Sequence, residues 1–200
     1  MKEQIIETSL KQFLAEGIRS ITMQKLASAL GVSTKTMYKY FADKEELLEE
    51  CLKVHYGGTD EKIRLMLNEE PNPVAFLCSL YARSMELDFG TNHLFYHDLN
   101  YYYPDLQDKT IRKYTHSAGK IMWAAIEQGI ADGYFLPHLK PPVMLEVLSV
   151  LYTSVTRNDT YKKFNLEPHE LAGHTIDIYL RGVCTEKGLK IIAQINKLPK

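Results

Sequence analysis

Residues 21–47 read ITMQKLASALGVSTKTMYKYFADKEEL. Met23, Leu26, Ala27 and Leu30 recur at helical spacing. Thr22 stands before them as an N-cap, and Gly31 follows as a stop. Ser33 then caps a short helix whose inner face carries Met37 and Phe41. Neither cap is followed by Glu or Gln at the third helical position, so neither is a full capping box. Asp43 opens a further helix, with Glu45 and Glu46 in the first turn, where carboxylates suit the helix dipole. Leu47, Leu48, Cys51 and Leu52 form its apolar side. Upstream, Ile6, Leu10, Phe13 and Leu14 mark a first helix that Gly17 ends. Two short helices joined by a tight turn containing Gly make a helix-turn-helix.

The outer face of the third helix points to a chemistry. On a wheel of about 100° per residue, Met37 and Phe41 share one side. Lys35 and Lys39 point the opposite way, with Thr34 and Tyr38 on one flank and Thr36 and Tyr40 on the other. Such a helix fits a DNA major groove. Lysine offers charge to phosphates or guanine edges, and Thr and Tyr hydroxyls reach phosphate oxygens. Local charge agrees. Residues 18–44 hold Arg19, Lys25, Lys35, Lys39 and Lys44 against Asp43 alone, a net of +4 in a chain whose total is -1. The remainder therefore carries -5, and a basic tip on an acidic body orients a protein toward DNA.

Bulk composition by itself names no partner. With 200 residues, 45% hydrophobic and 24% charged, the chain suits a globular protein with a sizeable core. Cys51, Cys78 and Cys184 are too far apart in sequence for metal-ligand spacing, and fit small core hydrophobes in a reducing, cytoplasmic setting. MKEQIIETSLKQF is amphipathic rather than a secretory signal, and VMLEVLSVLYTSV is too short to span a bilayer, so no membrane association is expected. No G-x-G-x-x-G, Walker-type loop, H-E-x-x-H or G-x-S-x-G occurs, so neither an enzyme nor a cofactor is expected.

The pattern stays helical to the end, giving an all-α fold. Beyond a loop at Pro71-Asn72-Pro73, helices are expected near 73–89, 91–102, 105–132, 141–157 and 168–185, with Pro168 at a first helical position. Gly57-Gly58 either breaks or bends the fourth helix. Gly90, Pro104, Gly133, Pro137, Pro141-Pro142 and Arg157-Asn158-Asp159 separate the others. The C-terminal IIAQINKLPK reads as a helical extension or a frayed tail, with Lys187, Lys190, Lys197 and Lys200 as a solvated face. His93, His97 and Asp98 put two histidines on one helical face, but an i, i+4 pair alone is more often structural than metal-binding, and no metal is assigned.

The first 50 or so residues resemble the tetracycline-repressor (TetR) family of bacterial transcription regulators. Phe13 and Gly17, Thr22, Leu26-Ala27 and Gly31-Val32-Ser33 carry the resemblance, and above all Met37-Tyr38-Lys39-Tyr40-Phe41 followed by Asp43-Lys44-Glu45-Glu46-Leu47. It implies about nine helices: a three-helix DNA-binding domain over residues 1–46, then a ligand-binding and dimerisation domain over 47–200. It further implies a homodimer that sets its two third helices into successive major grooves of a palindromic operator, about 34 Å apart. By the same resemblance Thr22, Thr36, Tyr40 and Lys44 would hold phosphates, and Gln24, Thr34, Lys35, Tyr38 and Lys39 would face bases or the groove wall. A small-molecule effector of unknown identity would release the repressor, with the fourth helix as lever.

For the effector, an apolar or aromatic molecule, the candidate lining residues are Tyr81, Met85, Phe89, Phe95, Tyr96, Tyr102, Met122, Trp123, Ile126 and Tyr152. Aromatics at helical spacing are equally the mark of plain core. For the dimer, Leu145, Leu148 and Val155 on one helix and Ala172, Ile176, Tyr179 and Val183 on the next form apolar stripes, with small Gly173 and Gly182 beside them. The alternative is that these stripes pack within one chain. A different class of function, a helical ligand-binding or interaction module that does not regulate transcription, would have no use for the Lys35, Lys39 and Lys44 patch.

Overall fold

The computed structural model describes residues 1–156 and 159–195, without the side chains of residues 111, 112, 114–117, 159, 160 and 162. Arg157 and Asn158 of the expected breaker, and Lys197 and Lys200 of the expected solvated face, lie outside the described residues. In chain order the helices are α1 (Lys2–Glu16), α2 (Met23–Leu30), α3 (Thr34–Tyr38), α4 (Lys44–Tyr56), α5 (Thr59–Glu69), α6 (Pro73–Phe89) and α7 (His93–Tyr102). Then come α8 (Pro104–Ala131), α9 (Pro141–Thr156), a 3-10 turn (Asp159–Phe164), α10 (Pro168–His174), α11 (Ile176–Val183) and α12 (Glu186–Ile195). The described residues contain no strand beyond a single antiparallel bridge between Phe135 and Cys184, so the fold is all-α as expected. None of their helices is long and apolar enough to cross a membrane.

Among the described residues there are twelve α-helices, in rough agreement with the expected nine, and local chemistry accounts for the additional breaks. Gly57-Gly58 breaks the fourth helix: Gly58 takes φ 75°, and the Thr59 hydroxyl donates to the Tyr56 carbonyl at 2.6 Å. The helix expected over 168–185 divides at Thr175, whose φ and ψ are -129° and -86°. Its hydroxyl donates to the Leu171 carbonyl at 2.7 Å and its N–H to Ala172 at 3.2 Å, a local alternative to the helical ladder. The C-terminal segment forms α12 through Ile195.

The chain divides by packing into two compact units, Met1–Thr59 with Thr91–Thr115, and Asp60–Gly90 with His116–Lys200. The first is centred on Ile5, Phe13, Ile18, Leu26, Met37, Phe41, Leu47, Leu48, Cys51 and Phe95, all essentially inaccessible to solvent. Each large apolar side chain buried this fully contributes roughly 1.5–3 kcal/mol. The second is centred on Val74, Phe76, Leu77, Met85, Ile126, Phe135, Met144, Leu148, Ile176 and Leu180. There α6 meets α9, α10, α11 and α12. Gly129 is required for this packing, since a Cβ on it would stand 2.5 Å from the Phe135 ring. Lys187 is exposed but not simply solvated: its ammonium donates to the Asp132 carbonyl at 2.8 Å and lies 4.0 Å from the Tyr134 ring centroid.

Candidate nucleic-acid interface

Each helix around the reading surface starts at its own side-chain cap. The Thr22 hydroxyl oxygen accepts from the Lys25 N–H at 3.1 Å and starts α2. That bond uses a lone pair and leaves the hydroxyl hydrogen free to donate to a phosphate. Gly31 ends α2 in the left-handed region (φ 65°, ψ 28°), with its N–H on Ser28 (3.2 Å) and that of Val32 on Ala27 (3.0 Å), a Schellman closure. Ser33 caps α3 by accepting from the Thr36 N–H at 3.1 Å, and its hydroxyl also shares a hydrogen with that of Thr36 at 2.9 Å. Asp43 caps α4 by accepting from the Glu46 N–H at 2.8 Å, while the Glu46 carboxylate accepts from the Ala42 N–H at 2.6 Å. The return bond goes to the residue before the cap and not to the Asp43 N–H, so the D-x-x-E spacing gives a variant of the capping box.

The side of α3 that faces the core is dry, with Met37 and Phe41 buried. The opposite side is open. Lys35 and Lys39 are exposed and make no ion pair among the described residues, and Tyr38 and Tyr40 are 52% and 39% exposed despite their size. Thr34 and Thr36 are half-buried, and Gln24 and Thr22 exposed. A solvent-facing pair of tyrosines has no folding rationale of its own, since burying an aromatic is favourable. The nine residues expected to touch DNA thus lie on α2 and its N-cap Thr22, on α3 and the two residues that follow it, Lys39 and Tyr40, and at the start of α4, within one packing unit.

Lys44 is the exception to free exposure. It is half-buried, its ammonium donates to the Ile18 carbonyl at 2.6 Å, and it lies 5.8 Å from the Phe13 ring centroid. Burial lowers its pKa, and the nearby Asp98 carboxylate acts the other way. Two ammonium hydrogens remain for another acceptor.

The turn between α1 and α2 is held by α7. The Asp98 carboxylate is 6% exposed and accepts from the Arg19 N–H at 2.7 Å. The Arg19 guanidinium donates to the Tyr102 hydroxyl and lies over its ring, 4.8 Å from the centroid. Asn92 caps two helices at once. Its carboxamide oxygen accepts from the Leu94 N–H to start α7, and its backbone and side-chain N–H groups donate to Leu14 and Ala15 at the end of α1. Glu16, Arg19, Ser20, Leu94, His97, Asp98 and Tyr102 line a shallow cleft of about 390 Å³ here. The Arg19–Asp98 bond spans 79 positions, and a single sequence carries no signal for it.

The candidate effector residues fall in different places. Tyr81, Met85 and Ile126 are buried in the second unit's core, with Phe89, Met122 and Tyr152 packed against it. The Tyr81 and Tyr152 rings stand 5.9 Å apart, and the Tyr152 hydroxyl donates to Asp88 (2.7 Å) or Ser84 (3.1 Å). Burial pushes the Tyr81 phenol well above its ordinary pKa. Trp123 is 39% exposed. Phe95 and Tyr96 are buried in the first unit's core instead, and Tyr102 stacks on Arg19. Of the dimer candidates, Leu148, Val155, Ile176 and Val183 are buried in the second unit's own core, and Leu145, Ala172 and Tyr179 are half-buried. His97 Nδ1 lies 3.6 Å from Asp98 Oδ1 and its ring stacks on Tyr101.

Three capped helices with a polar, cationic outer face make a helix-turn-helix DNA-binding unit. Residues 5–51 match the model of the bacterial regulatory proteins of the tetR family. The HTH-type transcriptional repressor KstR2 of Mycobacterium tuberculosis is 26% identical over 147 residues, covering 68% of this chain and 70% of that protein. The solved structure of M. tuberculosis KstR2, a ketosteroid transcriptional regulator, superposes with a TM-score of 0.68 at 21% identity, over 92% of this chain and 95% of that one. That of the regulator FadR from Bacillus subtilis in complex with stearoyl-CoA does so with a TM-score of 0.73 at 18% identity, over 92% of this chain and all (100%) of that one. At those identities the structures speak for the fold. Residues 5–51 thus carry the DNA-binding region of the tetR family, and the similar proteins support a DNA-binding transcription regulator.

Proposed function

We propose that the protein is a homodimeric repressor that binds a palindromic operator and leaves it when a small apolar or amphipathic ligand binds. Residues 1–46 carry the DNA contacts, and residues 47–200 carry the ligand and the partner. The observation that carries the first half is the outer face of α3 and the residues just after it, where Lys35 and Lys39 stand exposed beside two exposed tyrosines. Thr22, Thr36, Tyr40 and Lys44 hold phosphates, and Gln24, Thr34, Lys35, Tyr38 and Lys39 face the groove. Sequencing the duplexes retained from a random pool at two salt concentrations tests this. Enrichment of a palindrome is expected, and salt-sensitive binding without sequence preference would refute the regulator reading.

The dimer reading is supported by what α9 and α11 leave uncovered. Val143, Val150 and Ile178 are 57–59% exposed, and a Cβ on Gly182 would meet nothing within 4 Å. These residues, flanked by Leu145, Ala172 and Tyr179, form the proposed two-fold surface, while the buried Leu148, Val155, Ile176 and Val183 support it from within. The ligand reading rests on the aromatic and sulfur-rich cluster of Tyr81, Met85, Phe89, Met122, Ile126 and Tyr152. It also rests on relatives named for ketosteroids and solved with stearoyl-CoA. An acyl thioester or steroid-like effector must bind the DNA-free form more tightly than the DNA-bound form, because equal affinity shifts nothing. Helix α4, which follows the reading helix directly, is the proposed lever. Trp123 fluorescence during titration with acyl-CoA thioesters, together with loss of operator binding, tests the pair. Ligand binding that leaves operator affinity unchanged would refute it.

A further inference from the structure

The five cations of residues 18–44 are not equivalent. Arg19 rests on the neutral Tyr102, and Lys44 on the neutral Ile18 carbonyl. Lys35 and Lys39 have no ion-pair partner among the described residues. Among the described residues Lys25 is the one of the five whose side chain is paired with a carboxylate, Glu16 Oε2 at 2.5 Å. Position matters as much as charge. Lys25 is the third residue of α2, and its own N–H is the donor that Thr22 caps, so its side chain rises from the turn that starts at the expected phosphate-binding hydroxyl. The positive end of the α2 dipole adds to the attraction for an anion there. In the free protein that anion is Glu16. Both side chains are nearly half exposed (45% and 46%), so the pair is solvated, weak and exchangeable.

We propose that Glu16 is a built-in competitor for DNA phosphate: it holds Lys25 in the free protein, surrenders it on DNA, and thereby lowers both the affinity and the salt dependence of binding. The inference rests on the DNA-binding reading of the first unit. A lysine that neutralises one phosphate releases condensed counterions and contributes about 0.9 to the slope of log K against log salt. When Lys25 moves from Glu16 to a phosphate, the freed carboxylate recruits a cation of its own, and most of that release is cancelled. Lys25 then contributes far less than Lys35 or Lys39. Glu16 therefore restrains non-specific binding, which depends on charge alone, without touching a base.

Glu16→Gln removes the charge and keeps the shape. The test is fluorescence anisotropy of the full-length protein on a labelled mixed-sequence duplex across a salt series, for wild type, Glu16→Gln, Lys25→Gln and the double variant, with thermal midpoints read alongside. Glu16→Gln is expected to steepen the slope by about 0.9 per protomer. It is also expected to tighten low-salt binding by about two- to thirty-fold for a dimer, the equivalent of losing one exposed pair in each protomer. In the Lys25→Gln background the same change should have little effect. An unchanged slope in Glu16→Gln would overturn the inference. So would equal tightening with and without Lys25, since that is the general field of one removed anion. Wild type that binds no duplex at any salt would sink the DNA-binding reading and this inference together, whereas wild type that binds normally beside an inert Glu16→Gln would sink the inference alone.

Discussion

Replacing Gly17 by Ala measures how tightly the end of α1 is set against α7. Gly17 takes φ 83° and ψ 160°, a region that is essentially glycine's alone. Placing a side chain there costs roughly 1–3 kcal/mol in backbone strain. A Cβ would also stand 2.8 Å from the Leu94 Cβ and 3.2 Å from Asp98 Oδ2. The Leu94 Cβ is fixed to the α7 backbone and cannot swing aside, so the helix itself must give way, an overpacking cost of about 1–3 kcal/mol. The sum is roughly 2–6 kcal/mol, a large share of a typical domain's stability. Gly31→Ala supplies the control. Gly31 is also left-handed, at φ 65°, but has open space around it, so only a conformational cost of roughly 1–2 kcal/mol applies. Urea denaturation followed by circular dichroism should show Gly17→Ala losing at least about 1 kcal/mol more than Gly31→Ala. Equal losses would refute the close approach of α7 to the turn.

Further outcomes follow from the same unit and its cysteines. Asp98→Ala removes the acceptor of the Arg19 N–H and should cost about 1.5–3 kcal/mol, with Asp98→Asn, which retains a carbonyl oxygen, recovering part of it. Identical urea midpoints for wild type and Asp98→Ala would contradict that role. Cys51 and Cys78 have thiol pKa values pushed up to about 12 by burial, and Cys184 to about 11. All three should resist iodoacetamide at pH 8 in the native protein and react in denaturant. The sign of the linked pH effect is definite. Below the ordinary thiol pKa of 9.0 both folded and unfolded chains keep these protons, and above it the unfolded chain loses them first. Stability should therefore fall as pH rises beyond about 9, and a rise there would contradict the assignment.

What the sequence disclosed was local. Thr22, Gly31, Ser33 and Asp43 act on backbone groups within a few residues of themselves, so their caps are written in adjacent letters, and the apolar spacing around them fixes which face turns inward. The same spacing cannot say what an inward face meets. Phe95 and Tyr96 read as aromatic at helical intervals, and they are buried with Phe13 and Leu48 in the core of the first unit. The stripe through Leu148 and Val155 likewise marks an apolar side, and the second unit covers it from within the chain. Contacts distant in sequence were invisible, the Asp98 hold on Arg19 and the Asn92 cap on α1 among them. So was the break at Thr175, where one hydroxyl outweighs an otherwise continuous helical pattern.

The most direct test of a groove-reading α3 is the operator affinity of Lys35→Gln/Lys39→Gln across a salt series, measured beside wild type with urea midpoints as the folding control. Both lysines are exposed and make no ion pair among the described residues, so stability should change by less than about 0.5 kcal/mol. Each lysine that meets a phosphate contributes about 0.9 to the salt slope, so a dimer losing all four should show a slope shallower by up to about 3.6, with affinity reduced at every salt. A double variant that folds normally and binds with unchanged affinity and slope would contradict the account.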